Sequence, residues 1–134
     1  MIMVSACLAG VNCNYRGTNS ENTAVVKLVR AGRAIMVCPE QLGGLTTPRP
    51  PAEIRGGRVF TKEGADLSAA FHRGANEVLN ICKKYGCKKV ILKANSPSCG
   101  CGKICDGNFN GTLTDGDGVT AALLKEHGIE VSVL

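Results

Sequence analysis

The sequence predicts an α/β fold in which a mostly parallel sheet is flanked by helices, as in Rossmann and flavodoxin-like proteins, with a small β-hairpin added. Short apolar segments of strand length alternate with segments of helical periodicity, which is typical of parallel sheets. The core must be mainly aliphatic, since the chain has no Trp, two Tyr and three Phe, and this suits a buried sheet. We expect residues 1–134 to form a single domain.

The first half of the chain supplies two strands and one helix. Ile2–Ser5 is a short apolar run that predicts a buried strand. Ser20 or Asn22 then provides an N-cap for a helix that ends near Arg30. Ala34–Val37 is the second apolar run and predicts the second strand. Residues 41–51 are rich in Gly, Pro and Thr, which predicts a long loop with a functional role.

The second half begins with a predicted hairpin over residues 53–61, which has two glycines at its centre. Asp66 or Ser68 starts the longest predicted helix, and apolar residues at helical spacing extend it to Tyr85. Residues 89–93 predict the third strand. A Gly-rich and Cys-rich loop follows over residues 95–118. Asp117 is expected to cap the last helix, which leads to a final strand, Glu130–Val133.

Composition and charge favour a cytoplasmic protein. No stretch approaches the roughly 20 apolar residues needed to span a bilayer, and the first residues lack the charged region and cleavage site of a signal peptide. The net charge is +5, and its densest run, at residues 83–89, is explained by the end of a helix. This excess is weaker than the basic surface usual in nucleic-acid-binding domains, but it would suit an anionic ligand.

Eight cysteines in 134 residues are unusual for a chain without signs of secretion. In a reducing compartment they indicate metal binding or catalysis rather than disulfides. Cys7 follows the first predicted strand, Cys38 the second, and Cys99 lies in the loop after the third. Loops after parallel strands gather along one edge of the sheet, where ligands bind. We therefore expect these three thiols to converge.

Three convergent single thiolates favour an iron–sulfur cluster. A closed zinc site takes four ligands, usually supplied as close pairs, whereas soft thiolates suit iron–sulfur clusters equally well. A 4Fe–4S cluster held by Cys7, Cys38 and Cys99 would keep one iron open as a Lewis acid, and we expect it to be sensitive to oxygen. The alternative is three buried structural thiols, but these cysteines lie in loops beside Gly and Pro.

The other five cysteines are interpreted differently. Cys82 and Cys87 fit buried structural thiols on a helix and beside a strand. Cys101 and Cys105 follow Cys99 with the spacing C-x-C-x₃-C, which could form a local metal site or leave one cluster ligand beside two spectators. Cys13 follows Cys7 by six residues in a polar loop, and it is also interpreted as a spectator or secondary thiol.

Four polar residues accompany the candidate ligands. Glu40 follows Cys38 by two residues, so it can reach the same cleft and move a proton, or it can be a surface residue after a turn. Ser96 and Ser98 could orient a substrate or relay a proton, although Ser and Pro favour turns in any case. Arg49 could bind a substrate carbonyl, favour an anionic cluster, or form an ordinary surface ion pair.

Four motifs carry a resemblance that covers nearly the whole chain. They are VSACLAG at residues 4–10, VCPE with GGLTTPRPP at residues 37–51, LKANSPSCG at residues 92–100, and GT with GDGVTA at residues 111–121. Together they resemble the family called domain of unknown function 523, which includes thiouracil desulfidases.

The resemblance implies an enzyme that removes sulfur from thiolated uracil and leaves uracil and hydrogen sulfide. It implies a 4Fe–4S cluster on Cys7, Cys38 and Cys99, with the substrate sulfur on the open iron. It also implies that Glu40 and Ser96 assist catalysis. We assign Arg49 and Ser98 to substrate binding. The surplus of cysteines departs from the usual pattern of the family.

Two other functions remain open from the residues alone. The chain could be a non-catalytic iron–sulfur or zinc-binding module, or a persulfide or redox carrier that uses Cys99, Cys101 and Cys105. If it is a desulfidase, the expected partner is a small thiolated pyrimidine, as a base or nucleotide, and thiolated RNA carries the same reacting group. A homodimer could complete a shallow cleft, but no residue indicates one.

Overall fold

The computed structural model describes all residues, Met1–Leu134. The helices are α1 (Thr23–Arg30), α2 (Pro39–Leu42), α3 (Ser68–Tyr85) and α4 (Val119–Glu126), and a 3₁₀ turn covers Ala6–Ala9. The strands are β1 (Ile2–Ser5), β2 (Ala34–Val37), β3 (Ala52–Arg55), β4 (Arg58–Thr61), β5 (Lys89–Leu92), β6 (Lys103–Cys105), β7 (Leu113–Asp115) and β8 (Glu130–Val133). No helix is long and apolar enough to cross a bilayer.

The central sheet has four parallel strands in the order β2-β1-β5-β8, which confirms the predicted fold class. The chain moves outward from β1 to β2 and then crosses back to β5 on the other side of β1. The order therefore reverses between β1 and β5. In open α/β sheets, the crevice beyond the carboxyl ends at such a reversal is where ligands bind.

Alternate residues of the central strands enter two separate cores, as the two-residue period of a strand requires. Met3 of β1 and Val90 of β5 pack in the larger core, beneath Val78 of α3 and with α4. Val4 of β1 points to the opposite face and packs with Val25 of α1. The sheet is therefore covered on both faces, and its carboxyl edge is the open side.

Helix α2 corrects the prediction that residues 41–51 form a loop throughout, because its first turn extends to Leu42. Pro39 occupies the first helical turn, where its missing N–H costs no hydrogen bond. Two glycines bring α2 against α3: a Cβ on Gly74 would overlap the carbonyl oxygen of Pro39, and one on Gly43 would overlap that of Ala70. This close backbone approach fixes the segment that carries Cys38.

The loop over residues 95–118 contains a second hairpin, β6–β7, which the sequence did not predict. Its first part caps α4 with backbone carbonyls. The carbonyl of Pro97 accepts from Val119 N at 2.8 Å, and that of Ser98 accepts from Thr120 N at 2.9 Å. Asp117 was expected to cap this helix, but it accepts from Gly102 N at 2.8 Å instead. The loop that carries Cys99 is thus held rigidly by α4.

Candidate metal centre

A cavity of about 280 Å³ lies beyond the carboxyl ends of β1, β2 and β5. Cys7, Cys38 and Cys99 all line this cavity, as the positions of the strand ends predicted. Cys7 lies on the 3₁₀ turn after β1, Cys38 is the N-cap of α2, and Cys99 lies in the loop after β5. Three short segments that are distant in sequence thus place three thiols around one space.

A fourth thiol, that of Cys13, lies in the same cavity. It is only 2% exposed, and the carbonyl oxygen of Cys13 accepts from Cys38 Sγ at 3.7 Å. This position could not be predicted from the sequence, because it depends on the loop from Gly10 to Ser20, which returns to the 3₁₀ turn where Ser20 N donates to the carbonyl of Cys7 at 3.0 Å. The short spacing between Cys7 and Cys13, C-x₅-C, is the only feature of the sequence that indicates that these two thiols are neighbours.

The remaining four cysteines form no metal site with Cys99. Cys82 and Cys87 are buried in the larger core, as predicted. Cys101 packs against that core and does not line the cavity, whereas Cys105 lines its outer part. No three Cys, His, Asp or Glu side chains converge as closely as the ligands of a single metal ion do. The local site suggested by the C-x-C-x₃-C spacing is therefore not formed.

Glu40 faces the cavity and is held by two partners. Its Oε1 accepts from Arg49 Nε at 3.1 Å, and its Oε2 accepts from Ser98 Oγ at 3.1 Å. The Arg49 side chain is only 5% exposed, and its Nη2 also donates to the carbonyl of Cys13 at 2.9 Å. Arg49 is therefore not a surface ion-pair partner but a buried cation that joins Glu40 to the Cys13 loop.

The two serines have different roles in the structure. Ser96 Oγ accepts from the backbone N–H groups of Ser98 and Cys99 at 3.2 and 2.7 Å, so it shapes the turn that presents Cys99. Its hydroxyl lies 3.2 Å from that of Ser98, which in turn donates to Glu40. The three side chains form a continuous hydrogen-bonded chain that a proton could follow.

Two residues near the thiols escaped the sequence analysis. Ser5, the last residue of β1, donates from Oγ to Cys99 Sγ at 3.5 Å and accepts from Lys93 N at 3.0 Å. Ser98 Oγ lies at the same 3.5 Å from Cys99 Sγ. Lys93 lines the cavity, and its charge favours the thiolate of Cys7. A polar residue at the end of an otherwise apolar strand was the signal for Ser5.

The thiols differ in their acidity. The adjacent Cys13 side chain is the main reason why the pKa of Cys38 falls to about 6, and the positive charge of Arg49 lowers it further. The same thiol lowers the pKa of Cys7. Burial raises the pKa of Cys99 to about 11, although the hydroxyls of Ser5 and Ser98 oppose the shift. In the metal-free protein, Cys38 should therefore lose its proton at a much lower pH than Cys99.

These pKa values predict an order of alkylation in the metal-free protein. Iodoacetamide, which reacts with thiolates, should label Cys38 well before Cys99 at about pH 7. Labelling of Cys38 should slow as the pH falls through about 6, where its thiolate is protonated, and labelling of Cys99 should rise only toward pH 11. Peptide mapping by mass spectrometry under anaerobic conditions measures both rates. Equal rates at neutral pH would contradict this assignment.

The donor set fits a 4Fe–4S cluster better than a zinc ion. Each ligand of a cubane binds a different iron, so its thiols need not converge as tightly as the ligands of a single ion, and no three potential ligands converge that tightly here. The Ser5 hydroxyl donates to Cys99 Sγ, which is the kind of hydrogen bond that cluster ligands commonly accept. The single proton of the Ser98 hydroxyl can go either to this sulfur or to Glu40. The cations of Lys93 and Arg49 favour the thiolate forms of Cys7 and Cys38.

Comparisons with known proteins agree with this geometry. Residues 2–133 match the family described as 2-thiouracil desulfurase. A relative from Bacillus subtilis, the uncharacterized protein YbbK, is 45% identical over 98% of this chain and 93% of its own length. A solved structure of the 4Fe–4S-dependent thiouracil desulfidase TudS is 46% identical, with a TM-score of 0.94 over 98% of this chain and 89% of that protein.

Proposed function

Because this chain belongs to the 2-thiouracil desulfurase family, we propose that it is a 4Fe–4S-dependent desulfidase that converts thiolated uracil to uracil and hydrogen sulfide. The observation that carries the proposal is the meeting of Cys7, Cys38 and Cys99 in one cavity with the carboxylate of Glu40. A family match alone would not identify the residues that do the chemistry.

We assign the cluster to Cys7, Cys38 and Cys99. When bound, it would supply an open iron, which is a Lewis acid for the thiocarbonyl sulfur of the substrate. The chain itself provides a partly apolar cavity, in which charges interact more strongly than in bulk water. Its buried cation, Arg49, offsets part of the negative charge that three thiolates bring into this space.

The net reaction consumes one water: a C–O bond forms at the thiocarbonyl carbon, the C–S bond breaks, and both protons of the water leave with the sulfide. A base must therefore remove a proton from the water, and an acid must return one to the leaving sulfur. Glu40 is the one carboxylate that contacts the serine turn bearing Cys99. We assign both proton transfers to it.

The two serines are proposed to pass protons to and from Glu40, which remains the acid and base of the reaction. The hydroxyl chain from Ser96 through Ser98 ends on Glu40 Oε2 and can relay a proton between the cavity and the carboxylate. Substrate contact by Ser98 and Arg49 stays a proposal, since both already bond to Glu40. Arg49 is then mainly a positioning residue, because it fixes the orientation of the carboxylate.

A small thiolated pyrimidine is the substrate that suits this site. The cavity of about 280 Å³ is at the lower limit of ligand pockets, which run to roughly 300–1,000 Å³. Because the cluster would occupy part of this cavity, the remaining space favours a single base, and the sugar and phosphate of a nucleotide would extend from its mouth. All eight cysteines are free thiols, which fits a reducing cytoplasm as the site of action.

Product analysis tests the proposal. Protein whose cluster has been reconstituted without oxygen should convert 4-thiouracil to uracil and sulfide in a one-to-one ratio, measured by chromatography and by a sulfide assay. The same protein without iron should release neither. Turnover by the iron-free protein would favour a persulfide mechanism, and an iron-loaded protein that releases no sulfide would exclude the desulfidase.

A further inference from the structure

Lys93 is a half-buried cation that has no partner for its charge in the chain. It follows β5 directly and lines the cavity. The structure contains five salt bridges, and Lys93 belongs to none of them. Its hydrogen bond to Ser5 comes from the backbone N–H, and its ammonium group has no hydrogen-bond partner in the protein. Charged groups that lose contact with water are usually paired, so this one is free to bind a molecule that enters the cavity.

The other two cations that line the cavity are already engaged. Arg49 is buried and forms the ion pair with Glu40 at 3.1 Å. Arg16 is exposed, and its guanidinium group lies over the ring of Tyr15, 5.4 Å from the centre of the ring. Lys93 is therefore the cation of the cavity whose donors remain available to a ligand.

The backbone around Lys93 is fixed at the floor of the cavity. Its N–H donates to Ser5 Oγ at 3.0 Å, and the same hydroxyl donates to Cys99 Sγ. The next N–H, that of Ala94, donates to the carbonyl of Leu134 at 2.9 Å. The Lys93 side chain thus starts beside a proposed cluster ligand, at the point between β1 and β5 where the strand order reverses and ligands bind. This depth suits the ring of a substrate better than a phosphate at the mouth.

We propose that Lys93 binds the carbonyl oxygen that remains on the ring of the thiolated pyrimidine, and that it thereby selects thiouracil over thiones that lack this oxygen. The inference rests on the proposed function, because it needs thiouracil as the substrate. In 2-thiouracil and in 4-thiouracil alike, one ring nitrogen separates the thiocarbonyl from the remaining carbonyl. That oxygen is an amide-like acceptor, and a charged donor binds it more strongly than a neutral one does.

A contact at this oxygen would orient the substrate. With its sulfur directed to the open iron and its oxygen bound by Lys93, the ring is held at two points and cannot rotate in the cavity. The thiocarbonyl carbon then keeps one position relative to the carboxylate of Glu40, as an efficient proton transfer requires. A site built around a polar group of its substrate also rejects analogues that lack the group, since its own donor is then left unpaired.

The alternative role of Lys93 is to balance the negative charge of the three thiolates. The two roles differ in what they affect. Charge balance would act on the retention of iron and would influence all ligands of the cavity alike. A contact with the ring oxygen would leave the iron content unchanged and would act only on ligands that carry this oxygen.

The test uses Lys93→Met, which removes the charge and keeps an unbranched apolar side chain. Lys83→Met is the matched control, because Lys83 is exposed at the end of α3 and belongs to no salt bridge. Each protein is reconstituted without oxygen and analysed for iron. Equilibrium dialysis then measures the Kd of uracil and of pyridin-4-one, which keeps the oxygen at the position of the sulfur but lacks the second carbonyl. Sulfide release from 4-thiouracil gives kcat/KM.

We expect about four irons in every protein, as one cubane requires. The Kd of uracil should rise about 10–100-fold in Lys93→Met, as the loss of a hydrogen bond from a charged group implies, and kcat/KM for 4-thiouracil should fall by a similar factor. The Kd of pyridin-4-one should change less than about twofold, since this ligand lacks the oxygen that the ammonium group binds. Lys83→Met should match the wild type in every measurement.

Three results would overturn the inference. A Kd of uracil that stays within about twofold of the wild-type value in Lys93→Met would mean that the ammonium group does not bind the ring. Equal losses of affinity for uracil and pyridin-4-one would indicate a general change of the cavity. Loss of iron in Lys93→Met but not in Lys83→Met would assign the charge to the cluster. In each case the wild type still releases sulfide, whereas an iron-loaded wild type that releases none would refute the proposed function instead.

Discussion

Replacement of Cys99 by alanine is expected to abolish cluster binding and sulfide release together. Among the three proposed ligands, Cys99 is the least open to substitution, because its sulfur has hydroxyls, those of Ser5 and Ser98, as its hydrogen-bond partners. Cys7 and Cys38 each have the thiol of Cys13 beside them. A cubane left with two ligands would not survive purification, so iron analysis after anaerobic reconstitution should find almost no iron in Cys99→Ala.

Cys101→Ala is the matched control for this variant. Cys101 lies two residues from Cys99 but packs outside the cavity, so its replacement should leave the iron content and the activity unchanged. Circular dichroism must show that both variants are folded. A Cys99→Ala protein that keeps a full complement of iron would mean that the ligand set is wrong.

Replacement of Glu40 by glutamine is expected to lower kcat and to leave the iron content of the protein unchanged. The amide keeps the shape of the side chain and can still accept from Ser98, but it cannot take a proton from water. General acid–base catalysis contributes about 10²–10⁴-fold, and kcat should fall by that factor. The iron content should stay at the wild-type value, because Glu40 is not a ligand.

Two controls accompany this variant. Glu126→Gln removes an exposed carboxylate at the end of α4 and should change neither kcat nor the iron content. Glu40→Gln also leaves the buried Arg49 without its carboxylate partner, although the carbonyl of Cys13 still accepts from it. A denaturant titration therefore checks for lost stability. Activity within about twofold of the wild type would exclude Glu40 as the main proton-transfer group.

Much of the fold was predictable because apolar patterning decides it. The strands Ile2–Ser5, Ala34–Val37 and Glu130–Val133 have the predicted bounds, and the third strand ends one residue earlier than predicted. The meeting of the three thiols followed from one topological rule, that parallel strands end at the same edge. The resemblance to the desulfidase family is confirmed by the family match.

What escaped prediction depends on contacts that have no local period. Helix α2 is one turn long, and β6 and β7 have three residues each. These elements are too short for a helical or strand periodicity to be recognised within Gly-rich loops. Cys13 reaches its partners only because a polar loop folds back. The sequence identifies Ser5 only as the last residue of a strand, because its contact with Cys99 depends on the loop that follows the neighbouring strand.

The same contacts give two residues both a structural role and a proposed role in proton transfer. Arg49 bonds to Glu40 and to the Cys13 loop, and Ser98 bonds to Glu40 while its carbonyl caps α4. A substitution at either residue would therefore disturb both the proposed proton path and the cavity wall. Cys99 and Glu40 are better targets, because iron content reports on the first substitution and kcat on the second.

The central claim is that this chain holds a 4Fe–4S cluster, and metal analysis tests it most directly. After strictly anaerobic reconstitution and desalting, we expect about four irons and about four acid-labile sulfides per chain, the content of a single cubane. Zinc in place of iron, or little bound metal of any kind, would contradict the cluster and with it the proposed desulfidase chemistry.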